Sequence, residues 1–445
     1  MSWQRLLGLQ LVTLAVGCST VRVDRQPHDD PSDPSEPSEC PALRVDFDKP
    51  GVNSALDVLG AASGPECSSI VVGSYGGDVD VGGALPYEAT WTGWVARLDA
   101  SGAVSWRRTL ADGADEVSYA HGVLADAVGN IWVNGSSQGT LLLDGVEVLQ
   151  GSGDYVIALS AAGELRWAAR LPGFPSHGAL RDDGSVSYFV AAGVLEEISF
   201  DGASGASTTR ELAAGDVGLM GGATRGELTV LVGCTGSQFT IADQLVAKQD
   251  ETPDGNGYPT CDLALFVVDR QGSLRWLRTF AETGFSPYVA TAAIDDDGEV
   301  ALIASFWGEI DLGDGSLAAS SIGPGMRLLV GTFSAAGELG EAGAFGEASF
   351  TFGWDVVPTS QGDFAVSGNV YDGSVDFGDA PIESGDLSYM GFQVDLSADG
   401  ELSSSQAQVG LERMFESGVG APFLVSRRMS DEGADLGVTF ERTAE

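Results

Sequence analysis

A tight turn of the form Asp-x-x-Gly or Asp-Gly, followed by a short alternating apolar run, recurs seven times between Asp57 and the C-terminus. The turn glycines align at Gly64, Gly129, Gly184, Gly226, Gly298, Gly362 and Gly433. They stand roughly 60 residues apart, the size of one supersecondary unit too small to bury its own apolar face. Units of that kind stack on their neighbours, so the chain is constrained to a repeat architecture.

Each unit has three recognisable parts. One is a strand, a turn and a second strand, written at residues 94 to 106, 155 to 167 and 265 to 276, and more weakly at 328 to 339 and 392 to 402. Period-two alternation about a tight turn predicts a hairpin. Trp106, Trp167 and Trp276 follow the hairpin turn, and Glu341 and Ser404 take that place in later units. A Trp recurring at one repeat position predicts a wedge between neighbouring units. The second part is the Gly turn and its strand, as at Asp126 to Gly135 and Asp295 to Ile303. The third is a short closing motif, Gly77-Asp78-Val79-Asp80-Val81-Gly82, Gly308 to Gly313 and Gly373 to Gly378. Together they predict an all-β chain with a single β-propeller of seven four-stranded blades. The 62 Gly against 6 Met agree with many turns and no long helices. The unit from Ile198 to Gly226 lacks the Trp and is short, which leaves six or eight blades as the alternatives.

The ring closure is also predicted. Leu43 to Asp48 reads like a blade strand standing before the first turn, while the last unit ends on Leu436 to Glu441. Pairing of the N-terminal with the C-terminal strand removes two open sheet edges. The propeller domain is therefore expected over residues 43 to 445.

The N-terminus carries an address. Residues 1 to 17 hold one basic residue, Arg5, and an apolar stretch from Leu6 to Gly17, too short to span a membrane and suited to a signal peptide. The run Leu14-Ala15-Val16-Gly17-Cys18 resembles the lipobox of bacterial lipoproteins, which implies lipidation of Cys18 and, with Ser19 next, sorting to the outer membrane. Residues 18 to 42 form the expected tether, with Pro27, Pro31, Pro34, Pro37 and Pro41 among acids and Ser, and little to bury. With Cys18 set aside, Cys40, Cys67, Cys234 and Cys261 remain. Three connectivities are possible; the sequence-local pairs Cys40–Cys67 and Cys234–Cys261 are favoured, since the second brackets a polar insertion and the first pins the tether to the first blade. No Cys-x-x-Cys occurs and the His are His28, His121 and His177, so no metal site is expected.

The motifs Leu98-Asp99-Ala100-Ser101-Gly102 with Trp106, the Asp126 turn and Val375-Asp376-Phe377-Gly378 resemble the secreted β-propeller repeat (SBBP) of bacterial surface and lipoprotein sequences. That resemblance spans roughly residues 43 to 445 and implies the fold and an envelope location, not an activity.

Chemistry is sparse. Gly135-Ser136-Ser137-Gln138-Gly139 matches Gly-x-Ser-x-Gly, but Thr140 to Leu143 continues as strand, where a nucleophile elbow requires a helix. Asp295-Asp296-Asp297-Gly298-Glu299 offers oxygen ligands for calcium, yet equivalent turns favour Asp-Gly for backbone reasons. His121 and His177 each precede a Gly ahead of a turn, on the strand nearest the axis, and are the channel candidates for proton transfer; other blades put Trp354 or Ala290 there. Quinone-dependent dehydrogenases are propellers with a Gly-x-x-x-Trp signature like Gly102 to Trp106, but an adjacent Cys pair is missing. No cofactor is expected. Acidic residues outnumber basic ones 64 to 22, for a net charge of −42, and no basic patch forms, which excludes nucleic acid as a partner. The expected function is a membrane-anchored scaffold for a protein or other ligand, contacted through one face or the Trp91–Trp94 and 250 to 258 regions. The alternatives are a channel-mouth enzyme of hydrolase, lyase or quinoprotein type and a glycan-binding surface protein.

Overall fold

The computed structural model describes residues 18–20, 40–49, 54–86, 88–112, 117–247, 261–280, 282–311, 316–318, 326–346, 350–359, 362–378, 381–384, 389–397, 402–408, 411–415, 422–429 and 435–442. The chain is a seven-bladed β-propeller of four-stranded antiparallel blades. Blade 1 runs from its inner strand Ala55–Ser63 through Ser69–Gly77 and Glu88–Leu98 to its outer strand Val104–Asp112. Blade 2 follows as Ser118–Ala125, Ile131–Ser137, Gly153–Leu159 and Leu165–Arg170. Blade 5 is Glu282–Ile294, Val300–Asp311, Arg327–Phe333 and Leu339–Phe345, and blade 6 is Phe350–Pro358, Phe364–Tyr371, Met390–Leu396 and Leu402–Gln408.

The short unit has a physical cause. Blade 3 begins with Pro175–Leu180, Val186–Ala191 and Val194–Phe200, and its outer strand is the first part of Ser207–Arg225. The rest of that strand is the inner strand of blade 4, paired with Leu228–Ile241 ahead of Asp262–Asp269 and Leu274–Phe280. The second and third strands of blade 3 are joined by residues 192 and 193 alone, where blade 2 inserts residues 138 to 152, so the turn spacing shrinks while the count stays at seven.

The ring closes as the sequence predicts. Blade 7 is Leu411–Phe415, Phe423–Met429 and Asp435–Arg442, and its outer strand is the N-terminal Leu43–Asp48. The register runs from Leu43 opposite Arg442 to Asp48 opposite Gly437. The core lies between blades: Phe47, Val58, Val71 and Trp94 share one apolar cluster with Phe415, Val425 and Phe440 of blade 7.

Two expectations about the repeat need correction. Gly433 does not belong with the other six turn glycines. It falls between the second and third strands of blade 7, one hairpin further out, within residues outside those described. The closing motif adds no separate blade strand either; in blade 5 it is the end of the second strand, Val300–Asp311. Elsewhere it lies in the connection between second and third strands, where it makes an accessory hairpin. In blade 2 this is Leu141–Leu143 with Val146–Leu149, and it pairs with the outer strand of blade 1, Leu143 opposite Leu110. In blade 1 the same place is Asp80, which bridges Asp48 of blade 7 through reciprocal backbone bonds of 2.8 and 3.0 Å. The motif therefore fastens each of these blades to the one before it.

The recurring Trp is a wedge, as expected. Trp106 Nε1 donates to Ala161 O at 2.9 Å, and Trp167 Nε1 to Gly202 O at 3.1 Å, each in the next blade's hairpin turn. Gly163, Gly205 and Gly337 sit at φ +73, +72 and +76, and a Cβ there would lie within 2.8 Å of the rings of Trp106, Trp167 and Trp276 respectively. Glycine is needed both for the left-handed turn and for the ring that covers it. At the closing seam Leu43 and Val45 cover Gly102 in place of a Trp.

Both disulfides join sequence-local pairs, Cys40–Cys67 with Cα atoms 5.4 Å apart and Cys234–Cys261 with 5.5 Å. The second fastens the ends of the connection that holds residues 250 to 258, which lie outside the described residues, as does His28.

Candidate functional site

The two ends of the propeller differ. At one end are the turns joining first to second and third to fourth strands, and their Asp side chains serve the backbone. Asp99 Oδ1 accepts from Ser101 N and Ala103 N at 2.8 and 3.0 Å. Asp126 and Asp269 do the same with residues two and four further on. Asp295 Oδ1 accepts from Asp297 N and Glu299 N at 3.0 and 2.8 Å, which commits to the turn the oxygen considered for calcium. Among the described residues no three His, Cys, Asp or Glu side chains are grouped to hold a metal ion.

The other end, where the inner strands begin, is aromatic. Each inner strand carries a β-bulge, passing over Leu59, His121, Ser176, Met220, Tyr288, Trp354 and Glu412. A bulge bends its strand and re-aims a side chain. In blade 2 the bulged His121 stacks on Tyr119, two residues earlier, with centroids 5.6 Å apart, and meets the edge of Phe174 at 5.1 Å. Trp91 of blade 1 lies against Tyr119 at 6.1 Å. Trp91, Tyr119 and Phe174 are half-buried, so three blades contribute to one accessible aromatic group.

A second group stands at the same end across blades 6 and 7. Phe352 and the bulged Trp354 stack at 5.4 Å and 5°, and the Arg413 guanidinium lies 5.2 Å over the Trp354 ring. Tyr371 meets the edge of Phe352 at 5.4 Å and packs at a tilt on Tyr389 at 5.3 Å. The Asn369 amide, oriented to accept from Trp354 Nε1 at 2.9 Å, fixes that indole. Beneath it Asp355 is 1% exposed and accepts from Met414 N at 3.1 Å. Burial raises its carboxyl pKa, against the opposing pull of Arg413 and the Met414 N–H.

The sequence candidates separate at this point. His121 and Trp354 occupy the same bulge, but His177 follows the bulge at Ser176, so the two imidazoles are not at matched positions. His121 Nε2 shares a hydrogen bond with Ser136 Oγ of its own blade at 3.0 Å; His177 Nε2 reaches Thr224 Oγ1 of blade 4 at 2.8 Å and stacks on Phe189. Both are buried, at 5% and 1% exposure. Burial pushes the His121 pKa down to about 4, so its ring is neutral at physiological pH. Trp91 takes its expected place near the surface, but Trp94 does not: it is fully buried against Phe47 at 5.6 Å because alternation turns it inward. Cys18 opens a three-residue strand, Cys18–Thr20, that pairs in parallel with the inner strand of blade 3, Cys18 opposite His177. Residues 21 to 39 of the expected tether lie outside those described. The blade 6 group was missed in the sequence; its signal is an aromatic pair two residues apart at the start of an inner strand, shared by Tyr119–His121 and Phe352–Trp354.

No protein-family model and no curated protein matches this chain. Among solved structures it is similar to BamB from Moraxella catarrhalis, at 14% identity over 87% of this chain and 83% of that one, with a TM-score of 0.40. It is similar also to the Cps50 (Swd1) β-propeller domain of Myceliophteria thermophila, at 9% identity over 91% and 100%, with a TM-score of 0.44. A third is YCF48 bound to D1 peptide, at 10% identity over 91% and 96%, with a TM-score of 0.44. All three TM-scores lie below 0.5, so the assignment to a seven-bladed propeller rests on the strand pairing of the chain itself.

Proposed function

We propose that this chain is a lipid-anchored propeller of the bacterial envelope that holds a protein partner on its aromatic end. The observation that carries the reading is the asymmetry of the two ends. One spends its polar side chains on its own turns, whereas the other presents two half-buried aromatic groups, the second under Arg413. Aromatic residues and Arg are the side chains that anchor protein interfaces. The anchoring half rests on the sequence: the Gly17-Cys18 junction after a short apolar stretch supports lipidation of Cys18, and two disulfides suit an oxidising compartment. The motif resemblance to secreted β-propeller repeats supports the same address.

The enzyme alternative loses the pairing it required, because His121 and His177 are engaged by hydroxyls in different blades. Glycan binding draws on the same exposed rings, and a glycan array on folded protein separates it from the protein reading. The test is cross-linked affinity purification of tagged protein from its native envelope, beside Cys18→Ala and a Tyr119→Ala/Phe352→Ala variant. A stoichiometric protein lost in the aromatic variant supports the proposal. Folded, membrane-attached protein that captures nothing, or captures equally well without the rings, contradicts it.

A further inference from the structure

Where the Trp is absent, other side chains cover the next turn at two seams, Arg210 and Leu212 over Gly272 and Leu43 and Val45 over Gly102, but between blades 5 and 6 a cavity stands in its place. Glu341 occupies in blade 5 the repeat position that Trp106, Trp167 and Trp276 hold in blades 1, 2 and 4. Trp276 stacks on Phe333 at 6.2 Å and shares its cluster with Leu339 of blade 5. The corresponding residues of blade 6 are Leu396 and Leu402, and both line a cavity of about 360 Å³ between blades 5 and 6. Val330, Phe345 and Phe377 complete its apolar wall, and Glu341 is the charged residue on it. Phe345 and Phe377 lie 5.3 Å apart, bracing the two blades where no indole does.

We infer that this interblade cavity is a binding site for a small planar aromatic carrying a cationic group, such as an arylalkylamine. The shape argument comes from the repeat, which builds this slot around an indole at three other seams. The charge argument comes from Glu341, an exposed acidic residue that lines the cavity beside its apolar side chains and can pair there with an amine. The volume falls at the lower end of the range of small-molecule pockets. The site lies in the seam of blades 5 and 6, shares no lining residue with the two aromatic groups, and does not depend on the partner reading.

The test uses the full chain and tryptamine, indole-3-acetate and indole as probes, read by calorimetric titration and thermal shift. Tryptamine is expected to bind saturably and roughly tenfold tighter than indole-3-acetate. Glu341→Gln is expected to abolish that preference, although it leaves almost all of the protein's net charge in place. Glu341→Trp restores the wedge, so it is expected to bind no probe and to melt higher than wild type. Absence of saturable tryptamine binding overturns the inference, and so does a preference unchanged in Glu341→Gln. The Gln comparison decides the matter by itself if the Trp variant does not fold.

Discussion

Arg442, the last described residue of the final strand, donates from Nη1 to the carbonyl of Cys67 in blade 1 at 2.8 Å. The same guanidinium reaches Pro41 O at 3.0 and 3.3 Å and Ser69 Oγ at 3.3 Å. One buried side chain thus binds the C-terminal strand, the segment ahead of the N-terminal strand and the first blade. The Cys40–Cys67 disulfide closes the same corner covalently. Toward the opposite end of the same seam Arg427 pairs with Asp57 at 3.1 Å.

Arg442→Ala leaves the part-buried carbonyls of Pro41 and Cys67 without this donor, so it should cost about 1 to 3 kcal/mol of folding stability. Cys40→Ala/Cys67→Ala should cost about 3 kcal/mol by the loop-entropy account. Because both act on one corner, the combined variant should lose less or more than the sum by a measurable coupling. Urea unfolding of the four proteins checks this; strict additivity would mean that the two fastenings act independently.

The wedge predicts a matched pair of effects. Trp276→Ala should destabilise by about 3 to 5 kcal/mol through the cavity it opens between blades 4 and 5. Gly337→Ala should cost about 1 to 3 kcal/mol, since its φ of +76 and the Trp276 ring both resist a Cβ. In the Trp276→Ala background the alanine at 337 should cost less, because only the backbone penalty remains. Thermal unfolding of the double-mutant cycle measures the difference.

His121 gives the protein a pH-dependent weakness. Its folded pKa of about 4 lies below the unfolded value near 6.5, so the unfolded chain binds the proton first as pH falls. The His121 contribution should decline between about pH 6.5 and 4, by on the order of 3 kcal/mol, and then level off. Ring resonances followed by NMR should show His121 neutral until about pH 4. Titration near 6.5 would show that the ring is not held in the buried, neutral form.

Glu197 acts lower on the pH scale. Burial by itself would raise its carboxyl pKa, but Arg181, Ser187 and Arg210 outweigh burial and hold it below the ordinary glutamate range. Arg181 and Glu197 are each 4% exposed and 3.0 Å apart. The stabilisation is complete above the unfolded pKa of about 4.3 and is lost as pH falls through the lower folded value. Glu197→Gln should cost about 3 kcal/mol at neutral pH, because it strands Arg181, and should flatten the acid limb of the stability profile. Denaturant midpoints from pH 2 to 7 measure both.

The architecture was legible because a repeat states each rule several times. Turn, hairpin and Trp are local patterns, and six equivalent turns reinforce one another even where blade 3 runs directly into blade 4. Placement of the closing motif was not legible, since pairing Leu143 with Leu110 joins different blades and leaves no local trace. Bulges were invisible for a related reason. One extra residue in an inner strand reverses the alternation after it, so His177 read as a match for His121. The aromatic end itself depends on those bulges, and only the pair Tyr119–His121 and its counterpart Phe352–Trp354 hinted at it.

The central claim is that the aromatic end is the binding end, and a hydrogen-exchange and cross-linking footprint of the protein with its captured partner tests it most directly. Protection around Trp91, Tyr119, Phe352 and Tyr371, with the turns at Asp99, Asp126 and Asp295 unchanged, is the predicted result. Protection confined to those Asp turns would contradict the account.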